Sequence, residues 1–232
     1  MTLAATIRLL TWNIHKGVGL DARYDLDRIV ALISRHEPDI VALQEVDSRR
    51  ARDGTSPFSF LRQALGEHCL EARAVTAPDG DYGHMVISRW PLANAVLHDI
   101  SVTGREPRRA IETIVETPHG PLHLVAVHLG LSFGERRRQA AILAALARAA
   151  PMTSVMVGDF NDWVWRGSVN AALWRELPAR TWHRTFPSVL PIARLDRVYC
   201  KPEAALVRSW TAGEAWIASD HLPLIAEIAL PG

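Results

Sequence analysis

Apolar residues recur along this chain in two patterns. Residues 7–12, 40–43, 69–75, 84–88, 93–98, 111–116, 122–128, 151–157, 195–200, 205–210 and 222–228 are short apolar runs bounded by polar or turn residues, and they predict strands. Residues 25–36 instead carry Leu26, Ile29, Val30 and Ile33 at helical spacing, with Asp25 placed as an N-cap and Pro38 closing the segment. Residues 59–65, ended by Gly66, read as a short helix, 135–149 as the longest helix and 169–176 as another. Strands with helices interspersed, some in βαβ order and some in hairpin order, predict an α/β fold on mixed sheets. No low-complexity segment, long charge run or Gly/Ser linker divides residues 1–232, so a single domain is expected.

The polar residues of interest fall where apolar runs stop. Asn13 ends the first run, Glu45 follows Val41-Ala42-Leu43-Gln44, His128 follows Leu124-Val125-Ala126-Val127, and Asp159 follows Val155-Met156-Val157-Gly158. Asp196 opens a strand, and Asp220-His221 immediately precede one. Strand ends are where α/β proteins usually place their chemistry.

Composition narrows the classes. Hydrophobic residues make up 48% and charged residues 22%, ordinary for a soluble globular protein. The formal net charge of +1 supplies no strong global field toward nucleic acid, which lowers that expectation without excluding a local basic patch. Cys69 and Cys200 stand apart with no metal-type spacing and read as reduced thiols. The first residues lack a secretory pattern, and no run approaches the roughly 20 apolar residues of a membrane helix. A cytoplasmic protein with no obligate protein partner is the expectation.

Asp159 and Asn161 stand two apart after a glycine at a strand end, so both can face one pocket, the first as a base and the second as a neutral donor. Glu45 and Asn13 offer oxygen to a hard cation such as Mg²⁺, which takes one or two carboxylates and keeps waters or phosphate oxygens; each could equally be a simple cap or turn residue. His128 and His221 can donate to phosphate oxygens, and Asp196 can orient His221 and hold its charged form. Together these groups fit phosphoester hydrolysis, in which Asp159 takes a proton from an attacking water and the neutral and cationic donors steady the phosphate. No nucleophile elbow, Walker glycine loop or HExxH helix supports a rival chemistry.

Thr11-Trp12-Asn13-Ile14, Leu43-Gln44-Glu45-Val46, His128-Leu129-Gly130, Gly158-Asp159-Phe160-Asn161, Leu195-Asp196-Arg197-Val198 and Ser219-Asp220-His221-Leu222-Pro223 resemble, in order, the motifs of the endonuclease/exonuclease/phosphatase superfamily. The resemblance implies a four-layer α/β sandwich, with two mixed sheets face to face and helices outside, and a Mg²⁺-dependent phosphoesterase, Mn²⁺ being an alternative ion. It implies metal contacts from Glu45, Asn13 and Asp220. Asp159 would then be the water-activating base, and Asn161, His128 and His221 phosphate contacts, with Asp196 supporting His221. Arg105 resembles a phosphate-side arginine, although Arg108 and Arg109 are equally available. His15 and His128 stand where abasic-site endonucleases carry an acidic ligand and an asparagine, which argues against that activity.

Trp163 and Trp165 follow the Asp159 turn, and packing and substrate contact weigh evenly for them. Arg136, Arg137 and Arg138 open the long helix and read as a solvated face. The substrate is expected to be a phosphoester, most simply a phosphodiester. Alternatives are a DNA or RNA nuclease, a phospholipid phosphodiesterase making peripheral membrane contact through the tryptophan loop, or a catalytically silent binding module of the same fold.

Overall fold

The structure, a computed structural model, describes residues 6–50, 55–163 and 167–230. Its elements run β1 (Thr6–Asn13), α1 (Leu26–Ser34), β2 (Ile40–Asp47), α2 (Pro57–Leu65), β3 (His68–Ala77), β4 (Gly80–Ser88), β5 (Leu92–Asp99) and β6 (Arg109–Thr117). They continue with β7 (Gly120–His128), α3 (Phe133–Ala149), β8 (Ser154–Asp159), α4 (Ser168–Leu173), β9 (Ala179–Arg180), β10 (Asp196–Lys201), β11 (Leu206–Thr211) and β12 (Leu224–Ala229).

The strands form two six-stranded mixed sheets, ordered β11-β12-β1-β2-β4-β3 and β5-β6-β7-β8-β10-β9. Each sheet has one parallel pair at its centre, β1 with β2 and β7 with β8, flanked by two antiparallel pairings on either side. A parallel pair needs a crossover between its strands, and α1 and α3 supply it.

The alternation of side chains along each strand divides the core into layers. Ile7, Leu9, Ile40, Ala42 and Val86 of the first sheet meet Ile111, Leu124, Ala126, Val155, Val157 and Val198 of the second. Their alternates face outward: Leu10, Trp12, Val41 and Leu43 pack under Ile29 and Ile33 of α1 and Phe58 and Leu61 of α2. On the other side Val125, Val127 and Met156 pack under Ala140, Leu143 and Ala147 of α3 and Val169 and Leu173 of α4. Strands with both faces covered read as continuous apolar runs, as β7 and β8 do. The result is the four-layer sandwich.

Local signals account for most boundaries. Asp25 caps α1 by accepting from the Arg28 backbone N–H at 2.8 Å. Expected to begin at Glu135, α3 instead begins at Phe133 within a capping box, where Ser132 accepts from the Glu135 N–H and the Glu135 carboxylate reaches back to the Ser132 N–H. Of the arginines after it, Arg137 and Arg138 are exposed, but Arg136 is buried, its guanidinium on the Leu131 carbonyl, so the solvated face begins one residue later than expected. Cys69 and Cys200 are free thiols, both pushed up to about 12 by burial. No helix among the described residues is long and apolar enough to cross a membrane.

Candidate active site

The parallel pairs of both sheets end at one edge of the sandwich. Asn13 lies opposite Gln44 at the end of the first pair, and His128 lies opposite Asp159 at the end of the second. β10 begins there as well, with Asp196 paired to Asp159.

Two backbone devices aim the carboxylates. The β2–β4 register shifts between Leu43 and Val46, and within this bulge Glu45 takes a left-handed φ of 57° that turns its side chain out of the strand's alternation. On β8, Gly158 has φ 141°, and a Cβ there would lie 1.9 Å from the Val127 carbonyl oxygen. Only glycine lets β7 and β8 approach closely enough to bring His128 beside Asp159. Asn161, two residues on, is left-handed at φ 49°.

Asp159 is the buried centre. Its Oδ1 accepts from the Asn161 backbone N–H at 2.8 Å, and its Oδ2 accepts from Asn13 Nδ2 at 3.1 Å. The same Asn13 nitrogen donates to Glu45 Oε1 at 3.1 Å, so one amide joins a carboxylate of each sheet. Burial, with Asp196 nearby, raises the Asp159 carboxyl to about 6, although His221 and the Asn161 and Asn13 donors pull the other way.

The two histidines differ in charge. Burial alone would lower His221, but its Nδ1 lies 2.8 Å from Asp196 Oδ2, and with Asp159 and Asp220 also near it is raised to about 10. It is therefore a cation whose Nε2 lies 3.9 Å from Asp159 Oδ2. Burial and then the Arg108 charge lower His128 well below its ordinary value. Arg108 Nη1 lies 2.9 Å from His128 Nδ1, and because a guanidinium can only donate, that nitrogen accepts. The ring proton of His128 thus sits on Nε2, 3.7 Å from Asp159 Oδ2.

These groups floor a cleft of ≈ 330 Å³ lined by Asn13, Glu45, Arg108, His128, Asp159, Asn161, Trp163 and His221, with Lys16, Arg49, Tyr82, Glu106, Leu131, Phe186 and Leu195 on its walls. Asp196 stands behind His221, fully buried. Trp163 packs edge-on against Phe186 with ring centroids 5.3 Å apart, and Phe186 packs against His221 at 4.9 Å. Trp165 lies outside the described residues.

Two expected contacts are placed elsewhere. Arg105 sits exposed in the turn before β6, outside the cleft lining, while Arg108 is buried at the cleft wall between His128 and Glu106. Arg108, the residue just before β6, is turned inward, whereas Arg109 opens the strand half-buried outside the cleft and the turn leaves Arg105 in solvent. The Asp220 carboxylate lies 3.4 Å from Ser219 Oγ and 3.9 Å from His15 Nδ1 and does not line the cleft. Arg108, one of the three arginines the sequence left open for this role, is the one at the cleft, and Tyr82 and Phe186 are lining residues the motifs did not reveal.

The donor set fits a hard cation at Glu45. Among the described residues this half-buried carboxylate accepts only from Asn13, and no basic side chain forms an ion pair with it. Asn13 turns its nitrogen toward the carboxylates, while its Oδ1 accepts from the His15 backbone N–H at 3.1 Å. Asp159, Asp196 and His221 also hold ligand-type atoms within 4.8 Å of one another, a spacing a metal ion could use. Within that cluster His221 Nδ1 is already engaged by Asp196 at 2.8 Å, while its Nε2 faces Asp159 at 3.9 Å.

A six-on-six mixed-strand sandwich with carboxylates, an amide and histidines at one edge defines a class of hydrolytic phosphoesterase scaffold. The chain belongs to the Endonuclease/Exonuclease/phosphatase family, whose model matches residues 10–221. Members of this family are generally hydrolytic phosphoesterases that use divalent metals. It is 33% identical to the Escherichia coli protein YbhP, itself described as uncharacterized, over 97% of each chain. A family protein from Beutenbergia cavernae is 24% identical, with a TM-score of 0.79 over 98% of this chain and 72% of that one. The zebrafish protein TDP2, solved with a single-strand DNA product, is 16% identical, with a TM-score of 0.68 over 96% of this chain and 98% of that one.

Proposed function

We propose that the protein is a Mg²⁺-dependent phosphodiesterase, Mn²⁺ serving as an alternative, that hydrolyses its substrate by in-line attack of a water activated by Asp159. The observation that carries this reading is the Asn13 amide, bonded at 3.1 Å to both Glu45 and Asp159, because it ties a cation-type carboxylate to a base-type carboxylate at one phosphate-sized cleft.

Glu45 would hold the ion, with the Asn13 amide N–H keeping its carboxylate in place; Asp220, expected as a further ligand, stands outside the cleft. When bound, that ion offsets negative charge on the phosphate and on the departing oxygen. Asp159, raised toward neutrality by its burial, takes the proton of the attacking water on Oδ2, and Asn13 and the Asn161 N–H keep its carboxylate in place. His221 presents a charged Nε2–H and His128 a neutral one, donors that strengthen as charge gathers on the non-bridging oxygens. The Asn161 amide already gives one proton to the Leu129 carbonyl at 2.9 Å and has a second for the phosphate. Asp196 keeps the His221 ring oriented and charged.

The test is hydrolysis of bis-p-nitrophenyl phosphate with Mg²⁺, with EDTA, and by Asp159→Asn. We expect EDTA to abolish turnover and Asp159→Asn to lower kcat by about a thousandfold, within the range removal of a general base produces. Turnover unaffected by EDTA, or a near-native Asp159→Asn enzyme, would refute this mechanism.

A nuclease reading has one observation of its own. A groove of ≈ 750 Å³ is lined by Trp174, Arg175, Arg180 and Trp182, with the Arg180 guanidinium 4.0 Å from the Trp182 ring. Aromatic planes with cations suit single-stranded bases and phosphates. Saturable, salt-sensitive oligonucleotide binding that Arg180→Glu removes would favour it.

A further inference from the structure

The four most exposed large apolar side chains among the described residues are Leu190 (73%), Leu131 (69%), Ile192 (64%) and Val189 (62%). Leu131 lines the cleft, and the other three lie on a hairpin whose first residue, Phe186, lines it too. Val189, Leu190 and Ile192 form the tip of that hairpin, which the Phe186–Ala193 bridge closes. Exposed Phe133 stands two residues beyond Leu131, and exposed Trp163 packs on Phe186.

The hairpin is firmly seated, so these side chains are held out in water by the fold. Ser188 N–H donates to the Asp220 carbonyl at 2.7 Å, and Ser188 Oγ reaches the Trp216 and Ser219 carbonyls at 2.7 Å each. That seat is the segment leading into His221. Singly exposed apolar residues are ordinary, but the most exposed ones gathered around a polar cleft mark a docking face.

We propose that this rim docks on a lipid surface, so that the phosphodiester offered to the cleft is that of a lipid headgroup. The layering supports it. The aliphatic side chains are exposed while the phosphate donors His128, Asn161 and His221 are buried, which matches acyl chains lying below a layer of headgroup phosphates. Basic side chains accompany the face: Lys16 lines the cleft, and Arg184 is exposed two residues before Phe186, placed for anionic headgroups. A nucleic acid would gain little from Val189, Leu190 and Ile192, which have no π-face to stack on. A second copy seated on the rim would close the cleft mouth. The identity of the substrate rests on the phosphodiesterase reading; the docking does not.

The experiment is co-sedimentation of the full chain with vesicles of phosphatidylcholine and phosphatidylglycerol, and of phosphatidylcholine alone. It compares wild type, Leu190→Asp with Ile192→Asp, and Val207→Asp. Val207 is exposed near the β11 residue Leu206, which aligns with the β12 end far from the site, and serves as the control. We expect wild type and Val207→Asp to sediment with vesicles, more strongly with the anionic lipid. The hairpin variant should partition about tenfold less or weaker still, since two buried aliphatic side chains are lost. Its hydrolysis of bis-p-nitrophenyl phosphate in solution should be unchanged. Absent wild-type binding to either vesicle, or equal binding by the hairpin variant, overturns the proposal. So does a wild-type dimer, or oligonucleotide binding without vesicle binding, that the hairpin change abolishes. Vesicle binding that depends on the hairpin, in a protein that hydrolyses no phosphodiester, upholds the docking and strikes the phosphodiesterase reading instead.

Discussion

In the first sheet the central parallel pair ends in Asn13 and the Gln44–Glu45 bulge; in the second it ends in His128 and Asp159. The two sheets share one pairing pattern, yet their ends differ in how they are held. Asp159 and His128 are buried and tied to Asn161, Asn13 and Arg108, while Glu45 is half-buried with the single Asn13 bond. A carboxylate surrounded by donors suits proton transfer, and a carboxylate left short of partners suits a cation. On the proposed mechanism the same strand-end position would thus do two kinds of chemistry, according to what the neighbouring loops supply.

The largest effects that would break this division are at Asp159, with its loss of about a thousandfold, and at Glu45. Glu45→Gln should lower turnover about a hundredfold at limiting Mg²⁺ and recover much of it as Mg²⁺ is raised, because a neutral amide still offers oxygen but little charge. Asp159→Asn should stay inactive at every Mg²⁺ concentration, since no ion restores a missing base. Isothermal titration with Mg²⁺ checks the same contrast without turnover: affinity should fall in Glu45→Gln and fall less in Asp159→Asn. Equal responses would erase the distinction between the two sheets' ends.

A smaller effect tests the second sheet alone. Asp196→Asn removes the charge that holds the His221 proton, and in metal-free protein the ring should lose it at lower pH, read by imidazole ¹⁵N shifts. The sign of the stability effect follows from linkage. The folded His221 value, about 10, lies above the ordinary 6.5, so the pair's stabilisation is fully present below 6.5 and is lost as pH rises through about 10. Denaturant unfolding should therefore show Asp196→Asn less stable by about 3 kcal/mol near pH 6, the order found when one member of a buried pair is removed. The deficit should shrink above pH 10.

These contrasts were only partly legible in the chain. The strands β1, β2, β7 and β8 announce themselves because their apolar runs are covered on both faces, and their polar ends mark Asn13, Glu45, His128 and Asp159. The bulge at Glu45 was not legible, since it is a mismatch of register with β4 and exists only once the two strands pair. Two-residue β9 is too short for any period to show. Arg136 looked like one of three equivalent surface arginines, and only the capping box at Ser132 sets which of them turns inward. The 186–193 hairpin had a signal that passed unread: an apolar stretch with prolines at 187 and 191 fits neither helix nor strand period, which is how an exposed apolar loop looks.

The smallest contrast concerns the two arginines before β6, Arg105 and Arg108, which one turn gives different positions. Arg105 is exposed, and Arg105→Ala should change kcat/KM by less than about twofold, as surface changes away from a site generally do. Arg108 is buried against His128, and losing it removes both a donor at Nδ1 and a repelling charge. In Arg108→Ala the His128 ring should accept a proton more readily, and without its fixed tautomer Nε2 no longer reliably donates. We expect about a tenfold loss in kcat/KM, with the acid limb of the pH profile displaced toward neutrality. Arg108→Lys should keep the charge but not the planar fork, and so recover only part of the loss. An Arg105 effect as large as that of Arg108 would mean the turn closes over the cleft when substrate binds, bringing the exposed arginine to the phosphate.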